Sequence, residues 1–223
     1  MKSGSNLERS PYGLLLAVVV TTGFVGELLN QSAFQRVAQG LGYTVVLIVG
    51  FSVLWGRRNT RWLAAVLAVP ALLGLWLAPV VSSPMLNVAS RVLLAAFLVL
   101  TAVTLVLDLA YASRVSANTL YAAICAYFLI ALVFAVAYGL VERLRPGSFT
   151  AVSANLNLGP DSDFIYFSLV TIATLGYGDI APVAGVARVL ASLEAVVGQF
   201  FVAALVARLV GLMVAPRSND GVG

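Results

Sequence analysis

Long apolar runs separated by short polar stretches dominate the chain. Apolar runs broken by charged residues, proline and glycine predict helices over 12–29, 41–56, 62–81, 88–111, 118–141 and 185–214. These lengths are close to the roughly 20 apolar residues that a helix needs to cross a hydrocarbon core about 30 Å thick. The pattern therefore predicts an all-α membrane protein with six transmembrane helices.

A seventh apolar stretch, residues 163–173, is too short to cross the membrane and is followed closely by Gly-Tyr-Gly at 176–178. Irregular backbone is tolerated at membrane depth only where it is buried in protein or lines a watery cavity. We therefore expect a re-entrant pore helix and a loop between helices five and six. The stretch occurs once, which argues against a transporter built from repeated pore loops.

Composition supports the membrane assignment and excludes several kinds of chemistry. The chain is 61% hydrophobic and 10% charged, against about 25% charged residues in soluble domains. It has no histidine and one cysteine, Cys125, which excludes Ser-His dyads, histidine metal sites and an intrachain disulfide. We expect no enzymatic activity, no organic cofactor and no soluble ligand-binding domain.

The basic residues predict the topology. The net charge of the chain is +4, but the basic residues lie at the ends of apolar runs, so the charge does not indicate a nucleic-acid partner. With the amino terminus cytoplasmic, the inside set is Lys2, Arg9, Arg57, Arg58, Arg61, Arg114, Arg208 and Arg217, and the outside set is Arg36, Arg91, Arg143, Arg145 and Arg188. This bias predicts that both termini are cytoplasmic. The first run could be a signal peptide, but it lacks a convincing cleavage site, so we interpret it as a mature helix.

The T-L-G-Y-G-D sequence at 174–179 has the residues that a dehydrated cation needs. Backbone carbonyls can replace the water shell of an ion if they all point inward. That arrangement needs backbone angles of alternating hand, and left-handed angles are cheap only for glycine. Gly176 and Gly178 supply them.

The other residues of this segment have distinct predicted roles. Thr174 offers a carbonyl and a hydroxyl to the innermost ion site, whereas Leu175 contributes only its carbonyl. The Tyr177 ring turns away from the pore and packs against the surrounding helices. Asp179 braces the loop by accepting hydrogen bonds and raises the local cation concentration.

Residues 164–179, F-I-Y-F-S-L-V-T-I-A-T-L-G-Y-G-D, resemble the pore helix and selectivity filter of potassium channels. Residues 193–211 resemble the inner helix of bacterial members of this family, with Gly198 at a hinge-like position. The resemblance implies a homotetramer, because one subunit supplies only a quarter of each carbonyl ring. It implies K⁺ coordination by the filter residues Thr174, Leu175, Gly176, Tyr177 and Gly178.

Three positions depart from the family pattern. Ala173 and Leu175 replace the threonine and the valine or isoleucine that often flank the filter threonine, yet we expect selectivity for potassium to survive. Val170 stands where some relatives carry a glutamate that pairs with the outer aspartate. Asp179 therefore needs another partner, and Tyr166 is the candidate for this second filter anchor.

The layout of six helices with the pore at the end resembles that of voltage-gated potassium channels. We assign residues 1–114 to a four-helix voltage-sensor-like domain, 115–216 to the pore domain and 217–223 to a disordered tail. The fourth run has Arg91 near its outer end and Asp108 near its inner end, without an arginine array. One charge moved through 100 mV is worth only about 2.3 kcal/mol, so we expect no strong voltage gating.

Some positions leave alternatives open. Pro70 and Pro79 kink or end the third helix, and Gly198 is either a bending point or a packing contact. Glu194 either pairs with Arg188 or hydrogen-bonds the pore helix. Arg208 reaches lipid headgroups, and Glu27 is either a solvated helix cap or a functional charge.

The sequence as a whole predicts a subunit of a potassium-selective channel in the cell membrane. We expect this membrane to be the inner membrane of a bacterium, with membrane lipids as the other partner. Two alternatives share the architecture. One is a non-selective cation channel, and the other is a non-conducting membrane protein that uses the channel scaffold for assembly.

Overall fold

The computed structural model describes the backbone of residues 11–28, 32–55, 60–112, 116–151 and 161–214, and the side chains of 12–22, 37–55, 60–112, 116–151 and 163–211. The elements are α1 Pro11–Leu28, α2 Ser32–Trp55, α3 Arg61–Val81, α4 Pro84–Tyr111, α5 Ala117–Leu144, β1 Phe149–Ala151, α6 Asp161–Ile172, β2 Ile180–Pro182 and α7 Gly185–Val214. All predicted helices are present, including the short seventh one.

The chain is an all-α, multi-pass membrane protein. In the described part of the chain, five helices are long and apolar enough to cross a membrane: α2, α3, α4, α5 and α7. The described apolar part of α1 is the shorter Tyr12–Thr22, so a sixth span stays a prediction. The predictions for both termini, for Arg57 and Arg58, for the Glu27 side chain and for the boundary at residue 114 lie outside the described residues.

Small residues bring α3 and α4 close together. The buried face of α3 consists of Ala64, Ala68, Ala71, Gly74 and Ala78. A Cβ atom on Gly74 would lie 2.5 Å from the Cβ of Ser90 on α4, so only glycine fits at this crossing. The expectation that a proline ends α3 is wrong, because the helix continues through Pro70 and Pro79 to Val81.

The turn after α3 starts α4 directly. Ser82 takes a left-handed conformation with φ 53°, and the Ser83 side chain then caps α4 by accepting a hydrogen bond from the Leu86 amide at 3.3 Å. Pro84 at the first helical position has no amide hydrogen that would need a partner. The turn therefore ends one helix and begins the next within two residues.

Helix α5 lies at the centre of the subunit and contacts α1, α4, α6 and α7. It begins with a capping box formed by Ser116 and Thr119. One continuous buried core extends from Leu15 on α1 to Ala187 on α7. Because α1 packs against α5 and α6, the two predicted domains share this core.

A small antiparallel sheet, which the sequence did not predict, joins the segments on either side of α6. Strand β1 pairs with β2 in the register Phe149 to Pro182, Thr150 to Ala181 and Ala151 to Ile180. The Ser148 carbonyl extends the pairing by accepting hydrogen bonds from the amides of Val183 at 2.9 Å and Ala184 at 3.2 Å. The sheet therefore closes the loop that contains α6 and the filter segment, residues 174–179.

Candidate functional site

The filter segment has a backbone of alternating hand. Thr174, Gly176 and Gly178 have φ values of 58°, 55° and 79°, whereas Leu175 and Tyr177 between them have no positive φ. The left-handed angles at the two glycines are as predicted. The pattern also includes Thr174, where left-handed backbone is uncommon for a residue with a side chain.

The last turn of α6 positions the start of this segment. The Thr174 amide donates to the Thr171 carbonyl at 2.9 Å, and the Leu175 amide donates to the Val170 carbonyl at 2.9 Å. Thr174, the first residue of the filter segment, is therefore hydrogen-bonded to the end of α6. The strained Thr174 conformation is held by these contacts, as strain at a functional segment generally must be held by its surroundings.

Asp179 and Tyr166 meet at the far end of the filter segment. The Tyr166 hydroxyl donates to Asp179 Oδ2 at 2.6 Å, and the Ile180 amide lies 3.0 Å from Asp179 Oδ1. The structure thus brings together the aspartate and the tyrosine that the sequence predicted as filter anchors. The carboxylate joins α6 to the first residue of β2, so the two ends of the filter segment are both tied to α6.

The Tyr177 ring does not pack against helices of its own subunit. The Tyr177 side chain is 66% exposed and that of Leu175 is 56% exposed. Packing of this ring against surrounding helices therefore needs helices of other chains and stays a prediction. The described residues of one chain therefore leave the side chains of Leu175 and Tyr177 uncovered.

A cluster of aromatic rings supports α6 from behind. The Tyr138 ring of α5 lies 5.1 Å from the Phe167 ring, and the Phe149 ring of β1 lies 5.0 Å from the Phe164 ring, measured between centroids. Both contacts are edge-to-face, a favourable geometry for aromatic pairs. These rings pack α6 against α5 and β1.

Glu142, which the sequence analysis did not single out, ties the end of α5 to this cluster. Its two carboxylate oxygens accept hydrogen bonds from the amides of Gly147 at 2.7 Å and Phe149 at 3.2 Å. A carboxylate seven residues before a strand carries no local sequence signal for this role. The contact orders the approach to β1.

Helix α7 touches the end of α6 at Gly198. A Cβ atom there would lie 2.7 Å from the Ile172 carbonyl oxygen and 2.6 Å from Ile172 Cγ1. Of the two interpretations of Gly198, the structure therefore supports close packing. The helix is continuous through this position, and bending there stays a prediction.

Two charged residues of α7 have partners within the subunit. Glu194 hydrogen-bonds Ser168 of α6 and Tyr138 of α5. Of the two interpretations of Glu194, the hydrogen bond to the pore helix is therefore correct. Arg188 is not among the partners of Glu194 in the described part of the chain. Arg208 donates to the carbonyls of Leu109 and Ala112, each at 2.7 Å. Its guanidinium therefore caps the end of α4, and contact of Arg208 with lipid headgroups stays a prediction.

The charged residues of α4 also lie in local contacts. Arg91 is buried and its Nε donates to Asn87 Oδ1 at 3.0 Å. Asp108 Oδ2 accepts a hydrogen bond from the Tyr12 hydroxyl of α1 at 3.1 Å. Among the described residues, no group of three or more His, Cys, Asp and Glu side chains could hold a metal ion.

Comparisons with known proteins cover the region around the filter segment. Residues 159–215 match the sequence profile of a family described as "Ion channel". The chain is 37% identical over 76 residues to the inward rectifier potassium channel Kirbac3.1 of Paramagnetospirillum magnetotacticum, which is 32% of this chain and 22% of that protein. It is 33% identical over 102 residues to protein LctB of Bacillus caldotenax, which is 44% of this chain and 74% of LctB. No solved structure matches the chain.

Proposed function

This chain belongs to the same family as protein LctB, and we propose that it is an ion channel that conducts K⁺ passively through a pore built by four identical subunits. The observation that carries the proposal is the alternating backbone of the filter segment, with left-handed residues at 174, 176 and 178. Its similarity to an inward rectifier potassium channel supports the choice of ion.

Potassium is the cargo of this pore, and the proposed ligands are oxygens of the filter segment. Rings of carbonyl oxygens from Thr174, Leu175, Gly176, Tyr177 and Gly178 replace the hydration shell of the ion. The Thr174 hydroxyl completes the innermost site. The hydrogen bond between Tyr166 and Asp179 supports the outer end, so the loop keeps its diameter when ions enter and leave.

Four subunits around one axis account for the surfaces that a single chain leaves uncovered. Only 11% of the α7 span is buried within its own chain, against 50% of the α5 span. The exposed residues Val189, Leu193, Val196 and Phe200 follow one another at helical spacing and form the α7 stripe. In a tetramer the α7 stripe and the Tyr177 ring are covered by neighbouring subunits, since apolar surface beside a water-filled pore would otherwise meet water.

The same proposal includes weak voltage dependence. Within α4, Arg91 is the sole basic residue, and it lies in a local contact with Asn87. One such charge per subunit moved through 100 mV supplies only about 2.3 kcal/mol, which is too little for steep gating. We place the channel in a bacterial inner membrane with both termini in the cytoplasm, in contact with lipids.

Ion flux into liposomes tests the proposal. The purified protein should pass K⁺ in preference to Na⁺ and be blocked by Ba²⁺. Gly178→Ala should abolish the flux, because φ at this residue is 79° and a Cβ strains left-handed backbone. Gly185→Ala is the matched control, since it has open space around it and no positive φ, and it should conduct normally.

The other outcomes separate the alternatives. Equal fluxes of K⁺ and Na⁺ would identify a non-selective cation channel and overturn the choice of ion. A protein that forms stable oligomers but passes no ions, with or without Gly178→Ala, would be a non-conducting assembly protein.

A further inference from the structure

Three helices meet at one carboxyl group behind the filter segment. Glu194 of α7, Ser168 of α6 and Tyr138 of α5 each have no exposed surface. The Tyr138 hydroxyl donates to Glu194 Oε2 at 2.5 Å, and Ser168 Oγ is hydrogen-bonded to Glu194 Oε1. Ser168 Oγ also lies 2.6 Å from the Ala131 carbonyl oxygen of α5.

The number of protons in this group fixes the charge of Glu194. A serine hydroxyl has one proton and a backbone carbonyl has none to donate. If Ser168 donates to the carboxyl group, its oxygen and the Ala131 carbonyl oxygen face each other at 2.6 Å with no proton between them. If Ser168 donates to the Ala131 carbonyl, the contact with Glu194 Oε1 needs a proton from the carboxyl group itself.

We propose that Glu194 is a protonated, uncharged carboxylic acid that donates to Ser168 and thereby fastens α6 to α7 and α5, holding the filter segment in position. Every donor and acceptor is then matched. Glu194 donates to Ser168, Ser168 donates to the Ala131 carbonyl, and Tyr138 donates to the second carboxyl oxygen. This role rests on the proposed channel function, because what it positions is the filter.

The surroundings of Glu194 agree with a neutral acid. Its partners among the described residues are the two hydroxyl groups, and neither is a basic side chain. The other titratable side chain near the carboxyl group is Tyr127 of α5. A buried charge needs a countercharge or several donors to balance its loss of hydration, and the described residues around Glu194 supply no countercharge.

The contact between Glu194 and Ser168 lies next to a second contact between α7 and α6. Ser168 and Ile172 are one turn apart on α6, and Glu194 and Gly198 are one turn apart on α7. Both pairs are in contact, since Glu194 bonds Ser168 and the Gly198 backbone lies against the Ile172 carbonyl. Two successive turns of α7 are thus fastened to the last turns of α6, immediately before Thr174.

Replacement of two glutamates by glutamine tests the charge. Glutamine has the shape of a protonated glutamic acid, with an amide that donates and a carbonyl that accepts. Glu194→Gln should therefore keep the flux and the K⁺/Na⁺ ratio of the wild type, whereas Glu194→Ala should reduce the flux by about tenfold. Glu142→Gln is the matched control and should reduce the flux. Both carboxylate oxygens of Glu142 accept hydrogen bonds from backbone amides, and the NH2 group of glutamine cannot accept either bond.

Infrared difference spectroscopy of Glu194→Gln against the wild type reads the proton directly. The carbonyl band of a protonated carboxylic acid should be present in the wild type and lost in Glu194→Gln. A missing band, or a Glu194→Gln channel as impaired as Glu194→Ala, would overturn the proposal. The band does not depend on conduction, so a wild type that passes no K⁺ would refute the channel proposal and leave this test of the proton intact.

Discussion

Helices α3 and α7 both leave much of their apolar surface outside the core of the subunit, but the two surfaces differ in character. The subunit buries 28% of the α3 span and 11% of the α7 span. The α3 surface begins with Trp62, which is 69% exposed and lies under the Arg61 guanidinium at 5.7 Å from the ring centroid. An aromatic and a basic residue at a helix end are typical of contact with the lipid interface.

The α7 stripe has a different composition and a different neighbour. It consists of Val189, Leu193, Val196 and Phe200, and the helix that carries it begins shortly after the filter segment. An exposed apolar face alone thus does not distinguish lipid contact from subunit contact. Its flanking residues and its distance from the filter segment make that distinction, and each variant below tests it.

Tryptophan substitution gives the largest expected difference between the two faces. Val196→Trp should break the tetramer, because overpacking costs about 1–3 kcal/mol at each interface. Val69→Trp on α3, where Val69 is 56% exposed, should leave the tetramer intact because lipid adjusts to the larger ring. Light scattering of the purified protein measures subunit number. A tetramer that tolerates Val196→Trp would show that the α7 stripe faces lipid or open space.

Gly198→Ala tests the contact of α7 with α6. The new methyl group would lie 2.7 Å from the Ile172 carbonyl oxygen, so we expect a loss of about 1–3 kcal/mol in stability and a lower K⁺ flux. Gly13→Ala is the control, since its nearest neighbour would be 4.0 Å away. Thermal unfolding and liposome flux check both variants. Unchanged stability in Gly198→Ala would mean that the two helices separate easily here.

Tyr166→Phe removes the hydroxyl that holds Asp179. A hydrogen bond to a charged group is worth about 1.5–3 kcal/mol, so the K⁺/Na⁺ flux ratio should fall while the proposed tetramer persists. Tyr121→Phe on α5 is the control, because Tyr121 is 45% exposed and far along the chain from the filter segment. Equal flux ratios in the two variants would contradict the anchoring role of Tyr166.

Arg208→Gln gives the smallest expected effect. It weakens the two hydrogen bonds from α7 to the carbonyls of Leu109 and Ala112, at a cost of about 1 kcal/mol. Hydrogen exchange at the end of α4 should rise, while subunit number stays at four. A protein with Arg208→Gln that exchanges no faster there would show that these carbonyls have other partners.

The sequence predicted the helices well because a membrane span is a local property. The apolar run 185–214, for example, coincides with α7. Tyr166 could be predicted as the partner of Asp179 because Val170 stands where some relatives carry the glutamate that pairs with this aspartate. Side chains one or more turns apart on a short helix can be placed from its periodicity.

The remainder depended on contacts between distant parts of the chain. Glu194 and Tyr138, or Arg208 and Leu109, are separated by many residues, and no local pattern indicates which partner an intramembrane charge selects. The pairing of β1 with β2 was missed for the same reason, since strands of three residues have almost no periodicity. The left-handed conformation of Thr174 is held by hydrogen bonds to the last turn of α6. The conformational propensity of threonine alone does not reveal it.

The strand pair and the Asp179 anchor have a consequence for assembly. In the proposed tetramer each chain positions its own filter segment, because the pairing of Phe149 with Pro182 and the Asp179 anchor both lie within one chain. The conformational entropy of the filter segment, residues 174–179, is therefore lost during folding of the chain. Association of the proposed tetramer then joins preorganised surfaces, which favours tight and specific assembly.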